Sequence, residues 1–362
     1  MSLHVSDVLT QFLPDYQQHH ALNWQQQAAC KHILACRTAA LGQQVWQCDN
    51  CHQQQVVYCS CRDRHCPRCQ GQRTREWIEA QAANLLQVKY FHLVFTLPHE
   101  LNVISQYAPE QLYKSLFNAV WQTLSKFAQQ HRKTAGELGM TAVLHTWGQT
   151  LTQHIHLHCL IPGGMLSKTA HWQVIDKGYL FPVKALSTVF RAKMLQQLRD
   201  AQLCIPDKDT VLTKPWTVFS KACLCKPETV LRYLGRYTRK GVLHESRLRR
   251  IGTEGVSFNY RDYQDGNKRK VMTLSGCEFI RRYLSHVLPK GFMRIRHYGV
   301  LANRCRKRKL TIIRQQETPR KSKAEATVTE KEPPCWYCPH CQVGLLHLAS
   351  VFVERPAVKP DG

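Results

Sequence analysis

Acidic residues are scarce in this 362-residue sequence, in which 25 Asp and Glu stand against 50 Lys and Arg and leave a formal net charge of +25. Such an excess favours a polyanionic partner, most often nucleic acid, over a basic protein without one. Long apolar runs are also missing, since no stretch approaches the roughly 18 residues of a membrane span. With 43% hydrophobic residues, the composition fits a globular protein of two or three domains without membrane association.

A secretory signal is not apparent either, because the segment MSLHVSDVLTQF has no basic start followed by an apolar run. We therefore expect a cytoplasmic location, associated with the nucleoid if the partner is DNA. In that reducing compartment, pairs among the 17 cysteines predict metal sites rather than disulfides.

Two CxxC pairs, Cys48–Cys51 and Cys66–Cys69, follow one another closely along the chain. Four thiolates around a tetrahedral zinc ion form a structural site, so we predict that these two pairs bind one Zn²⁺ together. The same region contains surplus ligands, which either bind a second zinc ion or include buried free thiols: Cys36, Cys59, Cys61 and His65. A weaker candidate zinc site lies near the C-terminus and consists of Cys335, Cys338, His340 and Cys341.

Three histidines alternate with apolar residues at positions 154, 156 and 158. Successive side chains of a β-strand point to opposite faces, so His154, His156 and His158 share one face of a predicted strand. Three interpretations remain open: a divalent-metal site for phosphoryl transfer, a zinc hydrolase site, or a polar face without chemistry. Three imidazoles on one face favour a metal site, although a hydrolase would lack an acidic base beside them.

A pair of tyrosines, Tyr233 and Tyr237, lies in a helix predicted over 227–239. Residues four apart are neighbours on one helical face. Tyrosines in this pattern usually belong to a core, but a phenol is also a possible covalent nucleophile.

The patterns predict three regions, namely a zinc-binding domain over 1–83, a mixed domain over 84–300, and a basic linker with a cysteine cluster over 301–362. Amphipathic periodicity and strand alternation predict further helices and strands. The helices are predicted over 5–13, 24–36, 72–88 and 110–130, and the strands over 90–96, 142–147, 151–161 and 216–219.

Together these motifs resemble the rolling-circle transposases of the insertion-sequence-ninety-one type, in the HUH (His-hydrophobe-His) endonuclease superfamily. The resemblance extends to about residue 300 and keeps the family order of motifs. It includes the segments 36–42, 60–70, 91–98, 145–149, 156–164, 230–238 and 291–299.

The resemblance implies an α+β fold, in which a small cysteine-rich zinc-binding domain precedes an HUH-type antiparallel sheet with flanking helices. It implies that His156 and His158 bind Mg²⁺ or Mn²⁺, with His154 or Gln153 as a third ligand. Tyr233 or Tyr237 would then attack a phosphate of single-stranded or locally melted DNA, at the element ends and target, and form a 5′-phosphotyrosine. Matched basic residues are expected to contact the DNA: Lys221, Arg294 and Arg296.

Two alternatives use the same features differently. A rolling-circle replication initiator would need the same catalytic site and differ only in its DNA. A non-catalytic zinc-ribbon regulator would explain the charge and the cysteines, but not the histidine row and the paired tyrosines. The oligomeric state does not follow from the sequence.

Overall fold

A computed structural model of the chain describes residues 2–131, 134–175, 178, 180–223, 229–230, 235, 241–316 and 336–352, with backbone only at 72, 73 and 223. Within these residues the α-helices are α1 (Val5–His19), α2 (Trp24–Ala35), α3 (Gln70–Ala82), α4 (Ile104–Tyr107), α5 (Pro109–Gln129), α6 (Val183–Asp200), α7 (Lys208–Thr213), α8 (Gly276–Leu284) and α9 (Arg306–Gln316). None of these helices is long and apolar enough to cross a membrane.

The strands of the same residues form antiparallel sheets. They are β1 (Gln43–Cys48), β2 (Gln54–Tyr58), β3 (Tyr90–Thr96), β4 (Gly139–Trp147), β5 (Gln153–Pro162), β6 (Gly164–Leu166), β7 (Trp172–Val174), β8 (Val218–Cys223), β9 (Leu248–Gly252), β10 (Gly255–Asp262), β11 (Lys268–Leu274), β12 (Ile295–Gly299) and β13 (Leu346–Phe352). This combination of helices with antiparallel sheets confirms the predicted α+β class.

The largest sheet has five strands in the order β12-β4-β5-β3-β8, which places the histidine strand β5 at its centre. One face of β5 carries Ile155, Leu157 and Cys159, all fully buried in the main hydrophobic core. Helices α5 and α6 cover that face. Full burial of each large apolar side chain stabilises the fold by about 1.5–3 kcal/mol, so this face holds β5 rigidly in the sheet.

A second core joins the N-terminal helices α1 and α2 to the β9–β11 sheet and α8. The contact between α1 and α8 is close, because a Cβ atom at Gly276 would lie 2.1 Å from the Phe12 ring. Only glycine fits this position without displacing the ring. The core therefore contains residues that we predicted to lie in two different domains.

The C-terminal strand β13 pairs with β1, so residues 346–352 complete a small sheet of order β13-β1-β2. The predicted linker also differs from the structure, because Arg306–Gln316 forms helix α9. Leu310 and Ile313 lie on one face of this helix and are buried. Because basic residues surround this short apolar stripe, the sequence did not lead us to predict the helix.

Candidate functional site

Three buried histidines converge on the sheet face opposite to α5 and α6. His156 and His158 come from β5, and His145 lies directly opposite His156 on the neighbouring strand β4. One ring nitrogen from each lies within 4.8 Å of the others, an arrangement that could hold a metal ion. The apolar residues between the histidines anchor the strand, so the imidazoles stand on a rigid support.

Hydrogen bonds orient the two β5 imidazoles. The Nδ1 of His156 lies 2.7 Å from the carbonyl oxygen of His154 and must donate, because a carbonyl only accepts. The Nδ1 of His158 lies 2.9 Å from the Nε2 of His92. In each ring Nδ1 is thus engaged, and the two Nε2 atoms approach to 3.1 Å. Such engagement of the second nitrogen is typical of metal-binding histidines.

Burial keeps these imidazoles neutral. It lowers the pKa of His156 to about 4, with a contribution from His154, and it lowers the pKa of His158 still further. A neutral imidazole presents a lone pair to a metal. Two ligand nitrogens at right angles, each about 2.1 Å from an ion, would lie about 3 Å apart, which fits the Nε2 separation.

The donor set fits a divalent cation and also bears on its identity. Mg²⁺ prefers oxygen ligands, whereas imidazole suits transition-metal ions. A cluster of three imidazoles therefore favours Mn²⁺ over Mg²⁺ among the two predicted ions.

His154, predicted as the third ligand, is outside this cluster, and His145 takes that place. His154 is exposed and lines a cavity of about 190 Å³ together with Gln153, Lys214 and Trp216. Alternation along one strand identified the shared face correctly. It did not show that the strand end is open, nor which residue of the adjacent strand lies opposite His156.

We expect His145→Ala to weaken Mn²⁺ binding more than about tenfold, because loss of even an outer-shell partner typically costs about 10–100-fold, and His154→Ala to change it less than about twofold. The second variant is a matched control, because alanine retains the backbone carbonyl that accepts from His156. Isothermal titration with Mn²⁺ measures both. Equal losses in the two variants would contradict His145 as the third ligand.

The basic residues that we predicted to contact DNA do not all lie on the same side of the five-stranded sheet. Lys221 on β8 is opposite His92 in the strand register and exposed, so it belongs to the histidine face. The Arg294 guanidinium lies 5.6 Å from the centre of the Trp147 ring, which stacks on His145. Arg296 differs, because its guanidinium lies 4.3 Å from the Phe117 ring of α5, on the other side of the sheet. Its predicted DNA contact therefore does not belong to the histidine face.

Tyr233 and Tyr237, the predicted nucleophiles, lie outside the described residues. Nearby, Val230 is buried with Leu86. A Cβ atom at Gly235 would lie 2.3 Å from the Cδ1 atom of Ile78 on α3, so the chain passes very close to that helix.

The two CxxC pairs are not brought together, which corrects the predicted ligand set. Cys66 and Cys69 join Cys36 and Cys61, with Sγ–Sγ distances of 3.5 Å for 36 to 69 and 3.6 Å for 61 to 69. Tetrahedral zinc with bonds of about 2.3 Å places sulfurs about 3.8 Å apart, so this cluster has zinc geometry. Cys48 and Cys51 instead join two cysteines near the C-terminus, Cys338 and Cys341.

One predicted zinc ligand, His65, has another role. The Nε2 of His65 accepts from the backbone N–H of Leu288 at 3.2 Å, and its Nδ1 contacts Asp63 at 3.1 Å. Both ring nitrogens are occupied, which explains why His65 is not in the cluster. His340 is likewise absent from the clusters of the described residues, and Cys335 lies outside those residues.

Comparison with known proteins identifies the family. The sequence matches the family models described as "Transposase zinc-binding domain" over residues 8–97 and "Putative transposase" over residues 139–309. The putative transposase y4qJ of Sinorhizobium fredii (strain NBRC 101917 / NGR234) is 38% identical, covering 96% of this chain and 95% of its own length. The chain belongs to the transposases of the insertion-sequence-ninety-one type.

A second relative agrees with this membership. The transposase for insertion sequence element IS801 of Pseudomonas savastanoi pv. phaseolicola is 29% identical, covering 75% of this transposase and 69% of its own length. Among solved structures, a metal-bound conjugative relaxase TrwC in complex with OriT DNA covers 56% of the transposase and 69% of its own chain. That match has 15% identity and a TM-score of 0.26.

Proposed function

We propose that this transposase nicks and rejoins single-stranded DNA at the ends of its element through a 5′-phosphotyrosine on Tyr233 or Tyr237. The observation that supports this best is the convergence of the His156 and His158 Nε2 atoms at 3.1 Å, with His145 beside them. The family membership supports DNA transposition in general. The tyrosine chemistry is our extension of it.

A divalent cation bound by His145, His156 and His158 would supply Lewis-acid polarisation of the scissile phosphate. The phenolic oxygen of one tyrosine forms a bond to phosphorus while the bond from phosphorus to the 3′ oxygen breaks. The phenol loses its proton and the departing 3′ oxygen gains one. Because the phosphodiester energy is retained, a free 3′-OH can reverse the reaction and rejoin a strand.

The geometry also suggests where a strand contacts the protein. Phe219 lies on the edge strand β8, is 49% exposed, and its ring centre is 6.3 Å from that of His92. Lys221 is two residues further along β8 on the same face. An exposed aromatic ring beside a cation is a typical contact for single-stranded DNA, because bases stack on the ring while the charge attracts phosphate.

Phe219→Ala is expected to weaken binding of single-stranded DNA about tenfold, since one base–aromatic stack contributes roughly 1–3 kcal/mol. Fluorescence anisotropy with a labelled oligonucleotide measures this. Phe219→Tyr is the control, because it keeps an aromatic ring at the same position and should leave the affinity unchanged. Wild-type affinity in Phe219→Ala would contradict the proposed contact.

Covalent capture of DNA tests the proposed function directly. The wild-type protein is incubated with labelled single-stranded DNA that carries an element terminus, with Mn²⁺ or with a chelator. We expect a covalent adduct with Mn²⁺ only, absent from the double variant Tyr233→Phe, Tyr237→Phe. The single variants show whether both tyrosines react.

Two results would reject the proposal: no wild-type adduct, or an adduct that survives the double tyrosine change. DNA binding without any adduct would instead support the alternative of a non-catalytic DNA-binding regulator.

A further inference from the structure

The second cysteine cluster brings together residues from the N-terminal and the C-terminal parts of the chain. The Sγ atoms of Cys48 and Cys341 lie 3.7 Å apart, as do those of Cys51 and Cys338. Disulfide sulfurs lie about 2.05 Å apart, so these are not disulfide distances. They match the separation of about 3.8 Å for thiolates around tetrahedral zinc.

The two halves of this cluster have the same backbone turn. In the first, the N–H of His52 donates to the carbonyl of Cys48 at 3.2 Å. In the second, the N–H of Gln342 donates to the carbonyl of Cys338 at 2.9 Å. His52 and Gln342 also have φ values of 57° and 59°, in the left-handed region that non-glycine residues rarely adopt.

Backbone donors also point at the sulfurs. The N–H groups of Asn50 and Cys51 lie 3.4 Å from the Cys48 Sγ, and the N–H of Gly344 lies 3.3 Å from the Cys341 Sγ. Hydrogen bonds to the charged form of a group favour that form, so these donors suit thiolates. Each pair is shaped locally as half of a metal site.

The small sheet around the cluster has little apolar burial of its own. In its three fully described strands only Val45 and Cys48 are buried, and β2 is exposed throughout. Small modules without a sufficient core generally need a metal or disulfides. The other contacts between its two parts include strand pairing, the two hydrogen bonds that link Asp49 and Leu345, at 2.8 and 3.1 Å, and a contact of 3.2 Å between His347 and Asp49. The Trp46 and Trp336 rings also meet edge-on, with their centres 4.6 Å apart.

We propose that Cys48, Cys51, Cys338 and Cys341 bind a structural zinc ion of their own, distinct from that of the Cys36 cluster. The matched family model for zinc binding ends at residue 97 and does not contain two of these ligands. The ion ties β13 to β1 and makes the C-terminal segment part of the N-terminal zinc module. The whole catalytic region then lies in a loop closed by this zinc.

Zinc counting tests the site in the full-length chain. A parent with His156→Ala and His158→Ala excludes zinc bound by the imidazoles. We expect two zinc ions per parent chain and one after Cys338→Ser with Cys341→Ser. Cys204→Ser is the matched control, because Cys204 is an exposed free thiol and its loss should leave two. A parent with one zinc, or a double serine variant that retains two, would overturn the proposal.

A second measurement does not depend on how the serine variant folds. A specific protease site is placed between residues 320 and 330 of the otherwise wild-type chain, and the cleaved protein is examined by gel filtration. We expect the C-terminal fragment to co-elute with the body while zinc is bound, and to separate once metal analysis shows that chelation is complete. Separation with zinc bound, or co-elution without zinc, would refute the zinc tie. Neither assay uses DNA, so failure of the proposed nicking activity would leave both results interpretable.

Discussion

Replacing both His156 and His158 by alanine is expected to lower the rate of covalent adduct formation at least about 1000-fold. Removing one preorganised group that stabilises transition-state charge typically costs a factor of about 10²–10³, and this change removes two ligands of one ion. The two Nε2 atoms lie 3.1 Å apart and have no equivalent on alanine. The measurement is the initial rate of adduct formation at saturating Mn²⁺.

Binding of the same DNA without cleavage separates lost chemistry from lost folding. Both histidines belong to a strand whose opposite face is held by fully buried apolar side chains, so β5 should remain in place. We therefore expect the double variant to bind single-stranded DNA within about threefold of the wild-type affinity. A variant that retains more than a tenth of the wild-type rate would show that these histidines do not serve the reaction.

The combined change Cys66→Ser, Cys69→Ser is expected to have the largest effect on stability. Cys36, Cys66 and Cys69 are buried in the second core together with α1, α2 and α8. A structural zinc site contributes about 10–16 kcal/mol in isolated zinc modules. Loss of the ion should therefore unfold this core, and the melting temperature should fall by more than about 10 °C.

Thermal unfolding followed by circular dichroism measures the shift, and hydrogen exchange in α1 and α2 locates it. Cys30→Ser is the matched control, because Cys30 is a buried free thiol of the same core that belongs to neither cysteine cluster. It should lower the melting temperature by only a few degrees. Similar shifts in the two variants would mean that burial of the thiols, rather than zinc, stabilises the core.

The histidine strand shows which features can be predicted from the local sequence pattern. Alternation of apolar and imidazole side chains predicted the strand, its buried face and the shared face of His154, His156 and His158, because a strand repeats every two residues wherever it lies. The choice of His156 and His158 as the metal pair came from the family resemblance. The strand Tyr90–Thr96 was likewise predicted with its observed bounds, from aromatic and β-branched residues ended by a proline. These features depend on neighbours in the chain, which a sequence contains.

The third histidine depends on strand pairing. His145 lies next to His156 only because β4 and β5 pair in a particular register, and nothing within β5 specifies that register. His154 was predicted as a ligand because it lies on the same strand face as His156 and His158, but it is at the open end of that strand. The signal for His145 was its presence in another predicted strand, which alone does not align the two strands.

The sequence by itself therefore determined the net basic charge and those parts of each site that form within a few residues. These parts are the CxxC turns and the imidazole face. Only the tertiary structure decided how the parts combine. A CxxC turn supplies two corners of a tetrahedron, and the chain path selects the other two. Here that path brings Cys338 and Cys341 to Cys48 and Cys51, while Cys66 and Cys69 meet Cys36 and Cys61.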